Sequence, residues 1–290
     1  MQLGKLGVWA GLEAMTSAET AAFAQLVEQA GYGALWHPES RGRNSLVSSA
    51  WLLANTRKLI IATGIANIYA RDAQAMVSAQ KGLNEQSGGR FLLGMGVSHA
   101  PLVDDLRGHH YGQPVAKMRS YLEAMARAIY DAPEPAERPL TVIAALGPKM
   151  LELAREMTDG AHPYNVTPAH TAMARDILGP GKLLCVEQMV APAPNAETGR
   201  RIARTNLAVY LGLANYRNNW LRQGFTEADF ADGGSDRLID AVVAWGNDEA
   251  ICDRIRQHWD AGADHVCIQF LGETAVPDGE AVKRIAALIG

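Results

Sequence analysis

GLNEQSGGRFLLGMG (82–96) changes character at its double glycine: a mixed polar and apolar stretch leads into it, and a nearly unbroken apolar run leaves it. The glycine suits a helix C-cap, and the run beyond suits a strand covered on both faces. The same order recurs in AQLVEQAGYGALW (24–36), LAREMTDGAHPY (153–164) and HWDAGADHVCIQF (258–270). A helix that stops at glycine and is followed within a few residues by a buried strand is the repeat of a parallel α/β fold.

Working outward, further apolar runs stand at LIIATGI (59–65), LTVIAAL (140–146) and HVCIQFL (265–271). Strand candidates fall at 3–9, 34–37, 59–66, 91–97, 140–146, 160–163, 183–190 and 265–271, alternating with helical stretches throughout. No Pro/Gly/Ser-rich linker divides the chain, so the sequence predicts one α/β domain over 1–290, a closed (β/α)8 TIM-like barrel. The seventh and eighth strands are unusually far apart, which predicts an insertion at about 191–264. It comprises a helix from about 198 to 213, a polar-aromatic stretch NYRNNW (215–220) and an acidic loop TEADFADGGSD (226–236). Two uses are open to it, a lid and substrate wall or an oligomer contact.

Several helices announce their ends. Thr16 and Glu19 have the spacing of a capping box. Pro114 opens a helix whose apolar face is Val115, Met118, Leu122, Met125 and Ile129, and Pro148 opens another carrying Leu151, Leu153, Ala154 and Met157.

Composition narrows the function. The chain has 27 Lys+Arg against 31 Asp+Glu, a net charge of −4, without the basic excess that nucleic-acid binding requires. Three dispersed cysteines, Cys185, Cys252 and Cys267, form neither a disulfide framework nor a CxxC zinc site. No run of about 18 apolar residues occurs and the start lacks a signal-peptide pattern, so no membrane association and a cytoplasmic location are expected.

In a barrel, chemistry gathers where strands enter their following loops. Lys149 in ALGPKM follows a strand end at a helix start, which suits an anion; a tight turn with a solvated lysine reads the same way. GMGVSH (94–99) begins like a dinucleotide fingerprint, but His99 stands where the last glycine belongs. His99 itself, at a strand end with no GxSxG serine, reads as a proton or hydrogen-bond donor, or as a satisfied structural residue. A metal-dependent hydrolase barrel would need clustered ligands; His109 and His110 are adjacent and point apart, no HxH or HExxH occurs, and no metal is expected.

LGVWAG, AGYGALWHPES, IIATGIANIYARDAQAMVSAQ, GGRFLLGMGVSHAPLV and PLTVIAALGPKMLELAREMTDGAHPY, in this order and spacing, resemble the bacterial luciferase-like superfamily. More narrowly they are similar to its deazaflavin (coenzyme F420)-dependent oxidoreductases. The resemblance implies a TIM-like barrel with a cofactor at the strand C-termini. It also implies a third-strand bulge with a non-prolyl cis peptide behind the deazaflavin ring, which falls on Gly64 and Ile65, followed by Ala66 and Asn67. Gly96, Val97 and Ser98 match the fourth-strand loop lining the cofactor, and Gly147, Pro148 and Lys149 match the helix-start phosphate contact. Many relatives have Asp-His after strand two. Here Glu39-Ser40 stands there, so the acid is kept, the histidine is not, and Ser40 takes its place beside the cofactor. His99 occupies the position of a glutamate acid/base in some relatives and, with Glu39, is a candidate for the proton.

The expected function is therefore F420-dependent hydride transfer to or from an unidentified small molecule, with FMN-dependent monooxygenation and non-catalytic flavin binding as alternatives. The resemblance also implies a homodimer.

Overall fold

A computed structural model describes residues 1–289. Eight parallel strands close a barrel: β1 (Leu6–Trp9), β2 (Ala34–His37), β3 (Ile60–Thr63), β5 (Phe91–Gly96), β6 (Thr141–Ile143), β7 (Gly160–Ala161), β8 (Leu183–Pro192) and β10 (His265–Phe270). The long seam between β8 and β10, from Cys185 opposite His265 to Val190 opposite Phe270, joins the two ends of the sheet. All eight expected strands are present. Two short ones are added: β4 (Ala66–Asn67) pairs with the end of β5, and β9 (Ala244–Gly246) pairs with the far end of β8.

The outer helices are α1 (Ser17–Gln29), α2 (Ser45–Ala54), α3 (Ala73–Ser87), α4 (Pro114–Ala126), α5 (Pro148–Met157), α6 (Pro168–Leu178), α10 (Asp248–Asp260) and α11 (Gly279–Ile289). Thr16 and Glu19 form the expected reciprocal cap of α1. Ile129 departs from expectation: α4 ends at Ala126, and Ile129 lies beyond it, 70% exposed.

Buried apolar side chains occupy two shells. Trp9, Trp36, Ala62, Leu92, Val142 and Cys267 cluster inside the barrel, and a larger layer containing Leu35, Ile61, Met76, Phe91, Leu151 and Val186 lies between strands and helices. Strands buried on both faces carry continuous apolar runs, the pattern found in the sequence.

Between β8 and β9 the chain makes α7 (Ala196–Leu211), α8 (Ala214–Arg222), a 3-10 segment (Glu227–Gly233) and α9 (Asp236–Val242). These have their own core of Ile202, Leu207, Trp220, Phe230, Leu238 and Ile239, which continues onto Met189 and Ala191 of β8. The acidic stretch 226–236 is ordered, not an open loop: Thr226 and Asp229 cap each other, and Asp229 also accepts from Ser235 and Arg237. Among the described residues, no helix is long and apolar enough to cross a membrane.

Candidate active site

The C-terminal ends of the barrel strands and the helices α7 and α8 enclose a cavity of about 1230 Å3. Its floor is the turn after β3, where the Gly64–Ile65 peptide is cis. The Gly64 N–H donates to the His37 carbonyl at 2.8 Å, and the Gly64 carbonyl accepts from the Trp9 indole at 3.0 Å. A Cβ on Gly64 would stand 2.6 Å from Trp9 Nε1 and 2.9 Å from His162 Nε2, and one on Gly96 would stand 2.9 Å from Ile65 Cγ1. Only glycine lets the Trp9, His162 and Ile65 side chains pack this close to the backbone, and Ile65 lines the cavity beside them.

Glu39, 7% exposed, organises that floor. Its carboxylate accepts both guanidinium arms of Arg71, the Asn67 N–H at 2.8 Å and the Ser45 N–H at 3.2 Å. Its own N–H donates to the Ile65 carbonyl at 3.1 Å. Burial alone would raise its pKa; the Arg71 and backbone hydrogen bonds outweigh that and hold it below the ordinary carboxylate value. The carboxylate is thus ionised and engaged on both oxygens.

Below the floor, the rings of Trp36 and His162 stack with centroids 4.4 Å apart. His162 Nδ1 donates to the Cys185 carbonyl at 2.8 Å, so Nε2 carries the lone pair. Likewise His265 Nδ1 donates to the Gly4 carbonyl, and Nε2 accepts from Trp36 Nε1 at 3.0 Å. Burial pushes both imidazoles down to about 4, so each is neutral around pH 7.

The loop after β5 forms one wall. Ser98 has φ of 59°, and its carbonyl accepts from the Tyr111 hydroxyl at 3.1 Å. His99 follows and lines the cavity; burial pulls its pKa below the ordinary imidazole value, with the Asn215 side chain acting the other way. At the opposite side Gly147 precedes α5, and the Met150 and Leu151 N–H groups both return to the Gly147 carbonyl at 3.1 Å. Exposed Lys149 and exposed Arg222 stand at this helix start; Arg222 Nη2 lies 3.3 Å from where a Cβ of Gly147 would be. Arg222 is in no ion pair among the described residues. Two cations thus stand beside the positive end of α5.

Of the residues expected from sequence, Glu39, Ser40, Gly64, Ile65, Gly96, Val97, Ser98, His99, Gly147, Pro148 and Lys149 all border the cavity. Ala66 and Asn67 do not. They form β4 behind the floor, where Asn67 serves Glu39 through its N–H and Tyr69 through its side chain. Sequence reasoning missed Arg222, Tyr210 and Tyr216 as cavity residues because they come from α7 and α8. It also missed Glu187, fully buried on β8, whose signal was a carboxyl interrupting an apolar strand. Glu187 Oε2 accepts the Asn165 N–H at 3.1 Å and Oε1 has no partner. Burial drives its pKa up to about 8, against the smaller effect of the Asn165 N–H.

The sequence profile of the luciferase-like monooxygenase family matches residues 2–265. A Mycobacterium tuberculosis protein described provisionally as a coenzyme F420-dependent oxidoreductase is 27% identical over 352 aligned positions, covering 100% of this chain and 99% of the relative. A 5,10-methylenetetrahydromethanopterin reductase of Archaeoglobus fulgidus is 26% identical, covering 92% of each. Among solved structures, an F420-dependent secondary alcohol dehydrogenase holding an F420–acetone adduct superposes with a TM-score of 0.77 over 99% of both chains at 14% identity, a likeness of fold.

Proposed function

Since the chain belongs to the luciferase-like monooxygenase family, we propose that it is a coenzyme F420-dependent oxidoreductase that moves hydride between the deazaflavin and a small organic substrate. The observation that carries this reading is the floor after β3, where Ile65 borders the cavity beside Gly96, Val97 and Ser98, held in place by packing against Gly64 and Gly96 that a side chain at either position would disrupt. The full-length relationship to a protein described as F420-dependent supports the choice of cofactor.

When bound, the cofactor supplies the hydride chemistry, and the barrel supplies position, charge and exclusion of water. Ile65, Gly96, Val97 and Ser98 would hold the ring. The Gly147–Lys149 turn and Arg222 would hold the anionic tail. His99, neutral around pH 7, would exchange the accompanying proton with the substrate oxygen. Glu39 then has a positioning role: with both oxygens committed to Arg71 and two backbone N–H groups, it fixes the floor and hands on no proton.

Titration with F420 and with FMN, followed by quenching of the flavin fluorescence, tests the assignment. Saturable F420 binding with weak FMN binding is expected, together with turnover of the reduced deazaflavin against a substrate panel. Tight copurification of FMN would overturn it in favour of the monooxygenase reading. F420 binding without turnover across the panel would leave a binding protein.

A further inference from the structure

The cavity wall that rises from the glycine floor is a continuous horseshoe of aromatic rings. Trp9, tied to Gly64 by its indole N–H, has its ring centroid 5.3 Å from that of Tyr164. Tyr164 is 5.5 Å from Tyr210, Tyr210 meets Tyr216 edge-on at 5.0 Å, and Tyr216 is 5.7 Å from His99. The series therefore starts at one side of the floor and returns to the loop that carries Ser98 on the other.

The hydroxyl protons along it are assignable. Tyr164 donates to Gln269 Oε1 at 2.7 Å, which uses its single proton. Tyr210, whose hydroxyl is 3.0 Å from that of Tyr164, must then donate to it. The Tyr216 hydroxyl makes no hydrogen bond to another described residue, and His99, whose imidazole meets the Asn215 side chain, lines the cavity beside it. Charge is held elsewhere: Glu39 is paired with Arg71, Lys149 and Arg222 sit at the α5 start, and Glu13 and Arg41 are exposed. An ionic substrate placed in the horseshoe would lose its water without gaining a counter-charge.

We propose that this horseshoe is the substrate subsite and that it takes a planar, uncharged aromatic or conjugated ring compound bearing a carbonyl or hydroxyl oxygen. The ring lies among Trp9, Tyr164 and Tyr210, and the oxygen meets the Tyr216 hydroxyl and His99. Aromatic contacts of offset or edge-on geometry favour flat partners over saturated ones of equal size. The proposal rests on reading the cavity as the active site, and deepens that reading by naming the substrate class.

Isothermal titration of the protein at neutral pH, with and without saturating F420, uses three probes: 2-naphthol, planar and uncharged; decahydro-2-naphthol, of the same carbon skeleton, uncharged but not planar; and glucose 6-phosphate, charged. The expected result is 2-naphthol binding about tenfold tighter than decahydro-2-naphthol, persisting with F420 present, and no measurable binding of glucose 6-phosphate once F420 occupies the cations at the α5 start. Tyr210→Leu weakens 2-naphthol about three- to tenfold, and Tyr216→Phe, which keeps the ring and should fold, weakens it about threefold. F420 affinity stays unchanged in both variants. Equal binding of decahydro-2-naphthol, tighter binding of the sugar phosphate with F420 bound, displacement of 2-naphthol by F420, or undiminished affinity in both variants would overturn the proposal. If the cofactor reading alone is wrong, F420 fails to bind while the preference for 2-naphthol and its loss in the variants remain.

Discussion

Glu39 and Arg71 form a bidentate, buried ion pair that also gathers the Asn67 and Ser45 N–H groups onto the same carboxylate. The pair links the turn after β2 to the floor after β3 and to the start of α2. Removing one partner leaves the other charged and buried, so Glu39→Gln and Arg71→Met should each cost about 3–5 kcal/mol. The double variant should cost less than the sum, because the second substitution removes a charge already stranded. Thermal melts of the three variants check this; additive losses would show that the pair is not coupled. Cofactor affinity should fall with the single variants, since the Ile65 surface loses its anchor.

Gly64→Ala addresses the floor directly. The added methyl carbon would stand 2.6 Å from Trp9 Nε1 and 2.9 Å from His162 Nε2, both held by hydrogen bonds. Overpacking of this kind costs about 1–3 kcal/mol, and here the neighbours can yield only by breaking those bonds or moving toward the cavity. Lower thermal stability and a reduced F420 affinity are expected together. A variant as stable and as tight-binding as the parent would show that the floor tolerates a side chain.

The proposed anion site at α5 predicts a separable effect. Lys149→Ala and Arg222→Ala should weaken F420, each by about three- to tenfold, with a shallower dependence on salt, because each removes one cation from a partly exposed site. Binding of a deazaflavin lacking the phosphate should be nearly unaffected. Equal losses for both ligands would place these cations elsewhere in recognition.

The barrel was legible because its strands are covered on both faces, so FLLGMG, LIIAT and HVCIQF read as apolar runs ended by glycine or polar residues. Strand ends then located Gly64, Ile65, Ser98, His99 and Lys149. Arg222, Tyr210 and Tyr216 were out of reach, since their relevance depends on α7 and α8 folding back across the mouth, a tertiary fact with no local pattern. Ala66 and Asn67 failed for a local reason: after the turn the chain re-enters pairing with β5, and both side chains are buried behind the floor.

His99 is the proton candidate that remains once Glu39 is committed to Arg71. His99→Ala should lower kcat by about 10²–10⁴-fold while leaving F420 affinity nearly unchanged. Burial holds its pKa below the ordinary imidazole value, so in the direction of substrate oxidation, where the neutral ring takes the proton, the wild-type rate should fall on the acid side, at a pH below that value. The limb should vanish in His99→Ala. A profile with the same limb in the variant would assign the titration to another group.

Stability should have an optimum slightly above pH 7, set by two opposed groups of buried residues. His37, His162, His170 and His265 are pushed down to about 4 and His258 to about 3, from 6.5. Between those values the unfolded chain binds protons that the native one does not, so stability rises with pH up to about 7. Glu187 acts in the other direction: raised from 4.5 to about 8, it keeps in the native state a proton that the unfolded chain releases, so its contribution falls through that window. Five histidines outweigh one carboxyl until about pH 7, because the unfolded imidazoles are still partly protonated there; above that Glu187 dominates, and the melting temperature should decline towards pH 8. Glu187→Gln keeps the shape, removes the ionisation, and should flatten that decline and melt higher than the wild type at pH 8. Parallel profiles for the two proteins above about pH 7 would show that Glu187 is not the source.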